Sequence, residues 1–447
     1  MNTNAIRKAI DACAAAGGGR VWLPAVTSLT GPIGLKSGID LHVADGATIL
    51  FSRNVDDFPL VQSEYEGRRT VQASSPISGE GLHDVSITGA GVIDGCGDVW
   101  RPLKKDKVSA EHWDRVIKSG GVVDDSGKTW WPSRGALDGQ AELKKLREGD
   151  AGAGAPARID DYAKFRELLR PPMVLLSQCR TVLLDGPTFR NSPNWNINLN
   201  LCDNVTVRNV TVLNPTYAQN GDGIDLGSCR NVLIADAIVD VGDDGICLKS
   251  GRDEEGRRRG RPTENVVVRN CTVLHGHGGV VIGSEMSGGV RNVSVTNCVF
   301  RETDNGLRFK TTRGRGGVVE NIDISNISMS GITGAAITFD MYYGVNDPRF
   351  EPVSERTPIF RQFNIRNVSC SSAKQAMEVR GLPEMPIDGI TFERVRISAT
   401  EGASIVDAKG IVLRDVQIRS QKSPALQTQN VTNLTAEHVD ALSAEIP

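Results

Sequence analysis

Three acids, an imidazole and two cations recur in short motifs along the middle of the chain: Asn220-Gly221-Asp222, Asp243-Asp244 between Gly242 and Gly245, Gly276-His277-Gly278, and Arg308-Phe309-Lys310. Carboxyl groups held close together cannot all ionise freely, so at least one of Asp222, Asp243 and Asp244 should have a raised pKa and keep its proton near neutral pH. One protonated acid beside ionised carboxylates is what glycoside hydrolysis requires, an acid for the leaving oxygen and a base or nucleophile for the anomeric carbon. Arg308 and Lys310, two apart in a strand, would share a face while Phe309 turns to the core. A forked guanidinium and a point-charge ammonium suit a carboxylate on the substrate. Taken singly each motif has a plainer reading. The Asp pair is a wet turn or weak cation site, His277 a structural histidine, and the two cations a balance for the acids.

For the motifs to meet, the chain must return to one place once per motif. Gaps of 21, 34 and 31 residues separate Asp222 from Asp243, Asp243 from His277, and His277 from Arg308. If one coil of a repeating β-structure takes about that many residues, and parallel strands stack about 4.8 Å apart, the motifs fall on successive coils of one face. The sequence carries such a repeat. Asn204-Val205, Asn231-Val232, Asn265-Val266, Asn292-Val293 and Asn321-Ile322 each open a strand-like segment, at spacings of 27, 34, 27 and 29 residues, and self-similarity of this kind signals a solenoid. Short strands without crossover helices, and without a Leu-x-x-Leu-x-Leu ladder, predict an all-β, right-handed parallel β-helix. The Asn-x-Ser/Thr triplets this creates, at 204, 209, 270, 292, 326, 367, 430 and 433, read as turn asparagines rather than glycan acceptors.

Composition agrees with one elongated repeat domain over residues 1–447: glycine is high at 48 residues and aromatics are only 5%. Thr3 can cap a helix over residues 4–16, where Ile6, Ala9, Ile10 and Cys13 recur at three- and four-residue steps and three glycines end it. Its apolar face would cover the open end of the strand stack. Between about residues 100 and 170 the strand rhythm stops. Lys and Glu runs, a Gly-Ala stretch at 151–156 and a helical pattern over 159–169 mark a partly helical insertion, either a wall beside a cleft or a solvated decoration. Trp130-Trp131 within it read as buried anchors.

A net charge of −3 excludes polyanion binding by bulk attraction and gives no sign of a nucleic-acid partner. An acidic substrate would need a local basic patch, and Lys249, Arg252, the run Arg257 to Arg261, Arg313 and Arg315 supply one near the motifs. The run reads as a solvated loop. Nine cysteines, odd in number and without a CxxC pair, read as small buried hydrophobes rather than a zinc site or disulfide framework. No segment is apolar enough for a membrane span and no signal peptide is visible. No metal or cofactor is called for, and a monomer is expected.

In this order the four motifs resemble those of the polygalacturonase family of glycoside hydrolases. Asn191-Ser192-Pro193-x-Trp195 and Val92-Ile93-Asp94-Gly95 are similar to that family as well, and the likeness runs from the helix at residues 5–10 to about Tyr343. The resemblance implies a β-helix that hydrolyses α-1,4-linked galacturonate with inversion, outside the cytoplasm. It implies that Asp243 is the general acid, that Asp222 and Asp244 hold and activate the water, and that His277 supports the acid. Arg308 and Lys310 would bind the sugar, with Asn220, Lys249 and Arg313 beside them. The family's Asn-Thr-Asp is Asn-Gly-Asp here, and the strands that usually precede the first helix are absent, which reads as a trimmed start. The insertion and the arginine-rich run are similar to exo-acting members and imply removal of terminal galacturonate. Three alternatives stay open on the residues: a rhamnogalacturonan hydrolase of the same family, a calcium-dependent pectate lyase-like protein, and a non-catalytic glycan-binding β-helix.

Overall fold

The computed structural model describes residues 1–65, 68–152, 157–345, 347 and 349–443. The chain divides into two compact units. One comprises Met1–Cys202, Val210–Asp225 and Asp240–Asp243, the other Asp203–Asn209, Leu226–Val239 and Asp244–Pro447. The fold is the expected right-handed parallel β-helix: strands of successive coils pair in parallel, and each alternates buried and exposed side chains as the period-two pattern requires.

In the first unit, Gly19–Leu23 pairs with Ile39–Val43, while Thr27–Thr30, Thr48–Phe51, Val92–Asp94, Thr188–Arg190 and Thr211–Leu213 stack in turn. A second stack runs through Ile77–Glu80, Val174–Ser177 and Ile197–Asn200. The helix Thr3–Ala15 buries Ile6 and Ile10 against the first strands, so it covers the end of the stack as expected. Its cap differs. Asn2 takes the N-cap position without a side-chain bond, and the Thr3 hydroxyl accepts the Gly31 N–H at 2.7 Å, which ties the helix to the neighbouring turn.

The insertion holds helices Ala110–Lys118, Arg134–Asp138, Gln140–Gly152 and Ile159–Tyr162, the last continuing as the 3-10 segment Ala163–Leu168. The helix expected over 159–169 is therefore one α turn followed by a tighter one. Residues 153–156 of the Gly-Ala stretch lie outside the described residues. A small antiparallel sheet joins Leu103–Lys104, Thr129–Trp131 and Val122–Val123, and Trp130 Nε1 donates to the Gly120 carbonyl at 2.7 Å. An antiparallel hairpin, Leu60–Tyr65 with Arg68–Ala73, packs on the insertion: Val71 shares a core with Leu143, Ala157, Tyr162, Phe165 and Leu169. Such a core packs the insertion against the hairpin instead of leaving it loosely solvated.

In the second unit, Arg230–Ala235, Thr263–Arg269, Val290–Arg301 and Val318–Ser330 stack in register. A second stack carries Asp244–Lys249, Gly278–Ile282, Leu307–Lys310 and Ile332–Asp340. The repeat asparagines sit at the corners with positive φ, a conformation Asn tolerates better than most residues. Each donates its amide to the one below: Asn231 to Asn204, Asn265 to Asn231, Asn292 to Asn265 and Asn321 to Asn292, at 3.0–3.2 Å. The arginine-rich run is not a loop. It forms the helix Asp253–Arg259, closed by Gly260 in the left-handed region. All nine cysteines lie outside any disulfide, and eight are buried.

Candidate active site

In the first unit the chain enters the site through a polar core. Asn214 accepts the Ser192 N–H at 2.9 Å through Oδ1 and donates to the Gly221 carbonyl at 3.1 Å through Nδ2, so it clamps the turn that carries Asp222. Asn196 and Ile197 donate backbone N–H groups to the Asp222 and Gly223 carbonyls. Asp222 is 3% exposed. Asn220, with φ of 53°, accepts from Arg170 Nη2 at 2.9 Å, and Arg170 Nη1 reaches the Gln219 carbonyl at 2.9 Å. Asp243 is half-buried and follows Gly242, where a Cβ would meet the carbonyls of Pro215, Thr216 and Ala218 at 2.7–2.8 Å. Only glycine permits that approach, so the turn that aims Asp243 depends on it.

Arg170 was not singled out by sequence. Burial lowers its pKa, and among the charges acting on it Tyr65 and Asp243 push it back up while Arg147 lowers it further. A fixed cation therefore stands in the field of Asp243. The signal was position alone: Arg170 sits where the insertion rejoins the repeat, just before Pro171-Pro172. Tyr65, from the hairpin, stacks on Trp195 with ring centroids 5.2 Å apart, and Trp195 adjoins the Asn196 that holds Asp222.

In the second unit Asp244 is 2% exposed. Strand register sets it opposite Gly278, and Val281 opposite Arg308. A Cβ at Gly278 would lie 3.2 Å from the Arg308 Cβ, so glycine lets the strand bearing Arg308 close in. Lys310 Nζ donates to Asp244 Oδ2 at 2.6 Å and Arg308 Nη1 to Oδ1 at 3.2 Å. Phe309 faces inward between them, with its ring tilted against Phe339 and edge-on to Phe363. Burial by itself would raise the Asp244 pKa. Lys310, Arg308 and Lys249 overcome it and hold the carboxyl well below the usual range, so Asp244 is not the acid that keeps its proton. Burial likewise disfavours charge on Lys310, yet Asp244 raises its pKa.

Lys249, 6% exposed, also acts on Glu285, whose pKa is lowered against its burial by Lys249, Lys310 and Arg315. Arg315 pairs with Asp253. Around three carboxylates, Asp244, Glu285 and Asp253, stand four cations: Arg308, Lys310, Lys249 and Arg315. Tyr343 covers two of them, with Lys310 Nζ 4.9 Å and the Arg308 guanidinium 5.6 Å from its ring centre. Sequence reasoning gave Tyr343 no role. It arrives from a turn after its strand, fixed by its N–H to the Thr311 carbonyl.

His277 Nε2 lies 3.7 Å from Asp304, and its carbonyl accepts from Asn305. Asp244 and His277 offer an oxygen and a nitrogen within 4.8 Å of each other, as metal ligands would. A cation there would have to displace Lys310 from one Asp244 oxygen and Arg308 from the other. Arg313 is engaged elsewhere. Its Nε and Nη2 grip Glu384 at 2.5 and 2.8 Å, and Nη1 and Nη2 donate to the Asp347 and Arg349 carbonyls. Arg313 is thus paired with Glu384 rather than with Asp244.

Residues 160–412 match the model of glycosyl hydrolases family 28, and the chain belongs to that family of glycoside hydrolases. A Dickeya chrysanthemi exo-poly-alpha-D-galacturonosidase is 27% identical over 443 residues, covering 95% of this chain and 70% of the relative. Among solved structures, an exopolygalacturonase from Thermotoga maritima is 32% identical with a TM-score of 0.76, covering 97% of this chain and 88% of that one. The family 28 exopolygalacturonase of Yersinia enterocolitica is 25% identical with a TM-score of 0.74, covering 97% and 75%. No helix among the described residues is long and apolar enough to cross a membrane.

Proposed function

We propose that the chain, acting as one catalytic domain over residues 1–447, removes terminal galacturonate from α-1,4-linked polygalacturonate by inverting hydrolysis. The observation that carries this reading is the electrostatics around Asp244. A carboxylate locked in its ionised form, held by Lys310 and Arg308 with Lys249 in its field, concentrates cations where a substrate carboxylate would lie. Asp243, half-buried in its glycine-backed turn, donates a proton to the glycosidic oxygen as the bond to the anomeric carbon breaks. Asp222 and Asp244 orient water on the opposite face and take up its proton. His277, oriented by Asp304, supports Asp243. Arg308 and Lys310 bind the sugar carboxylate, with Lys249 adding charge and Asn220 a polar contact.

Exo action is supported by the wall on the first unit. The hairpin and insertion share a core, and Tyr65 stacked on Trp195 stands beside the coil bearing Asp222, where a polymer would otherwise pass. Both exopolygalacturonase structures cover nearly the whole chain. A polymer substrate cannot cross a membrane unaided, so this activity belongs outside the cytoplasm. The test is to incubate the protein with homogalacturonan oligomers and with rhamnogalacturonan fragments and to size the products. Monomeric galacturonate from the first, without ultraviolet absorbance and without need of calcium, is expected. Unsaturated products, or cleavage of the second alone, would overturn the reading.

A further inference from the structure

On the second unit, strands 298–301, 327–330, 368–371, 395–398 and 416–419 present their outer side chains to a groove of about 350 Å³. Their alternate residues, including Met329, Cys370 and Ile397, are buried and fix the sheet. Register places Val299, Ser328, Ser369 and Arg396 in one outward column, and sets Arg301 opposite Ser330 in the next. Short serines form the floor and Arg301, Arg396 and Arg419 rise at its ends. No carboxylate among the described residues lines it.

That pattern is unlike neighbouring outward positions on the same unit, where cations are matched by acids: Arg291 with Glu264, Arg361 with Glu320, Arg414 with Glu437. Arg419 is matched too, by Asp440. The side chains of Arg301 and Arg396 make no hydrogen bond or ion pair among the described residues. Exposed cations without acids create a local positive potential on a protein whose net charge is −3.

We propose that this groove is a second binding site for acidic polysaccharide, one that holds the polymer without cleaving it. The inference rests on the proposed pectic substrate. Arg301 and Arg396 are three coils apart, roughly 14 Å at about 4.8 Å per coil. A single small anion does not span that distance, whereas a chain with a carboxylate on each sugar meets both cations and hydrogen-bonds serine hydroxyls between them. Retaining one stretch of polymer raises the local concentration of its free end.

The test compares the full chain carrying Asp243→Asn, which leaves the polymer intact, with the same chain carrying Arg301→Gln and Arg396→Gln as well, in native gels cast with polygalacturonate. Retardation weaker by roughly tenfold in the second is expected, since each exposed pair contributes modestly. Turnover of galacturonate trimers by the Arg301→Gln/Arg396→Gln chain with Asp243 intact should match the parent. Equal retardation of the two chains overturns the groove, as does equal retardation by dextran sulfate, which would make it an unselective anion patch. Failure of the parent to cleave trimers strikes instead at the hydrolase reading, because retardation is scored without turnover.

Discussion

At the scale of single residues, the molecule turns on the contact of Lys310 and Arg308 with Asp244. Lys310→Met removes the nearer partner of buried Asp244 and leaves Arg308 on its other oxygen, so it should destabilise the protein by about 1.5–3 kcal/mol in chemical denaturation, the worth of a hydrogen bond to a charged group, as well as abolish activity. The sign with pH follows from both shifts. Asp244's folded pKa is depressed, so its contribution is complete above the unfolded value of about 3.9 and declines as pH falls from there through the folded value. Lys310's is raised, so the contribution persists until pH rises past about 10.4 and through the folded value. Unfolding at fixed denaturant should therefore show no loss from this pair between about pH 5 and pH 9; a fall in that window in the parent, absent from Lys310→Met, would contradict it. Asp243→Asn should keep its fold and lose about 10²–10⁴-fold in turnover, read as kcat on oligogalacturonate. The two-residue spacing made it legible that Arg308 and Lys310 share a face. It could not tell a substrate carboxylate from a protein one, since either is reached from the same side of the strand.

At the scale of elements, the repeat was legible and the decorations only partly so. Corner asparagines announced each coil, whereas the hairpin at 60–73 has polar residues on both faces and takes its apolar neighbours from the insertion, far along the chain. The arginine-rich run did carry a helix signal: Asp253, Glu254 and Glu255 in the first turn, Arg257 to Arg259 in the last, then Gly260, which is the charge order the helix dipole favours. Reading it as a basic patch hid that order. Arg170 and Tyr343 were missed because they reach the candidate site from outside the strands. If Tyr65 helps to close the site, Tyr65→Ala should shift the products of long homogalacturonan from monomer toward oligomers, read by anion-exchange chromatography. Asn265→Ala would place alanine at φ of 57° and break two rungs of the ladder. A loss of roughly 1–2 kcal/mol is expected from the left-handed backbone, seen as a lower melting temperature.

At the scale of the whole molecule, fold class followed from composition and repeat together, because a chain poor in aromatics and rich in glycine and short β-branched runs has few other ways to bury a core. Capture of an acidic polymer by a mildly acidic protein has to work through local fields, so the apparent KM for polygalacturonate should climb as salt rises from about 0.1 to about 1 M and the Debye length shrinks from about 10 to about 3 Å. A salt-independent KM would contradict this. The asparagine ladder carries a last consequence. Its rungs connect residues 27, 34, 27 and 29 positions apart, so it measures turns of the coil rather than lengths of sequence. Evolution can lengthen an arc between two rungs, as with the helix Asp253–Arg259, while the storeys above and below keep their alignment, and new specificity can be added to the perimeter without retuning the centre.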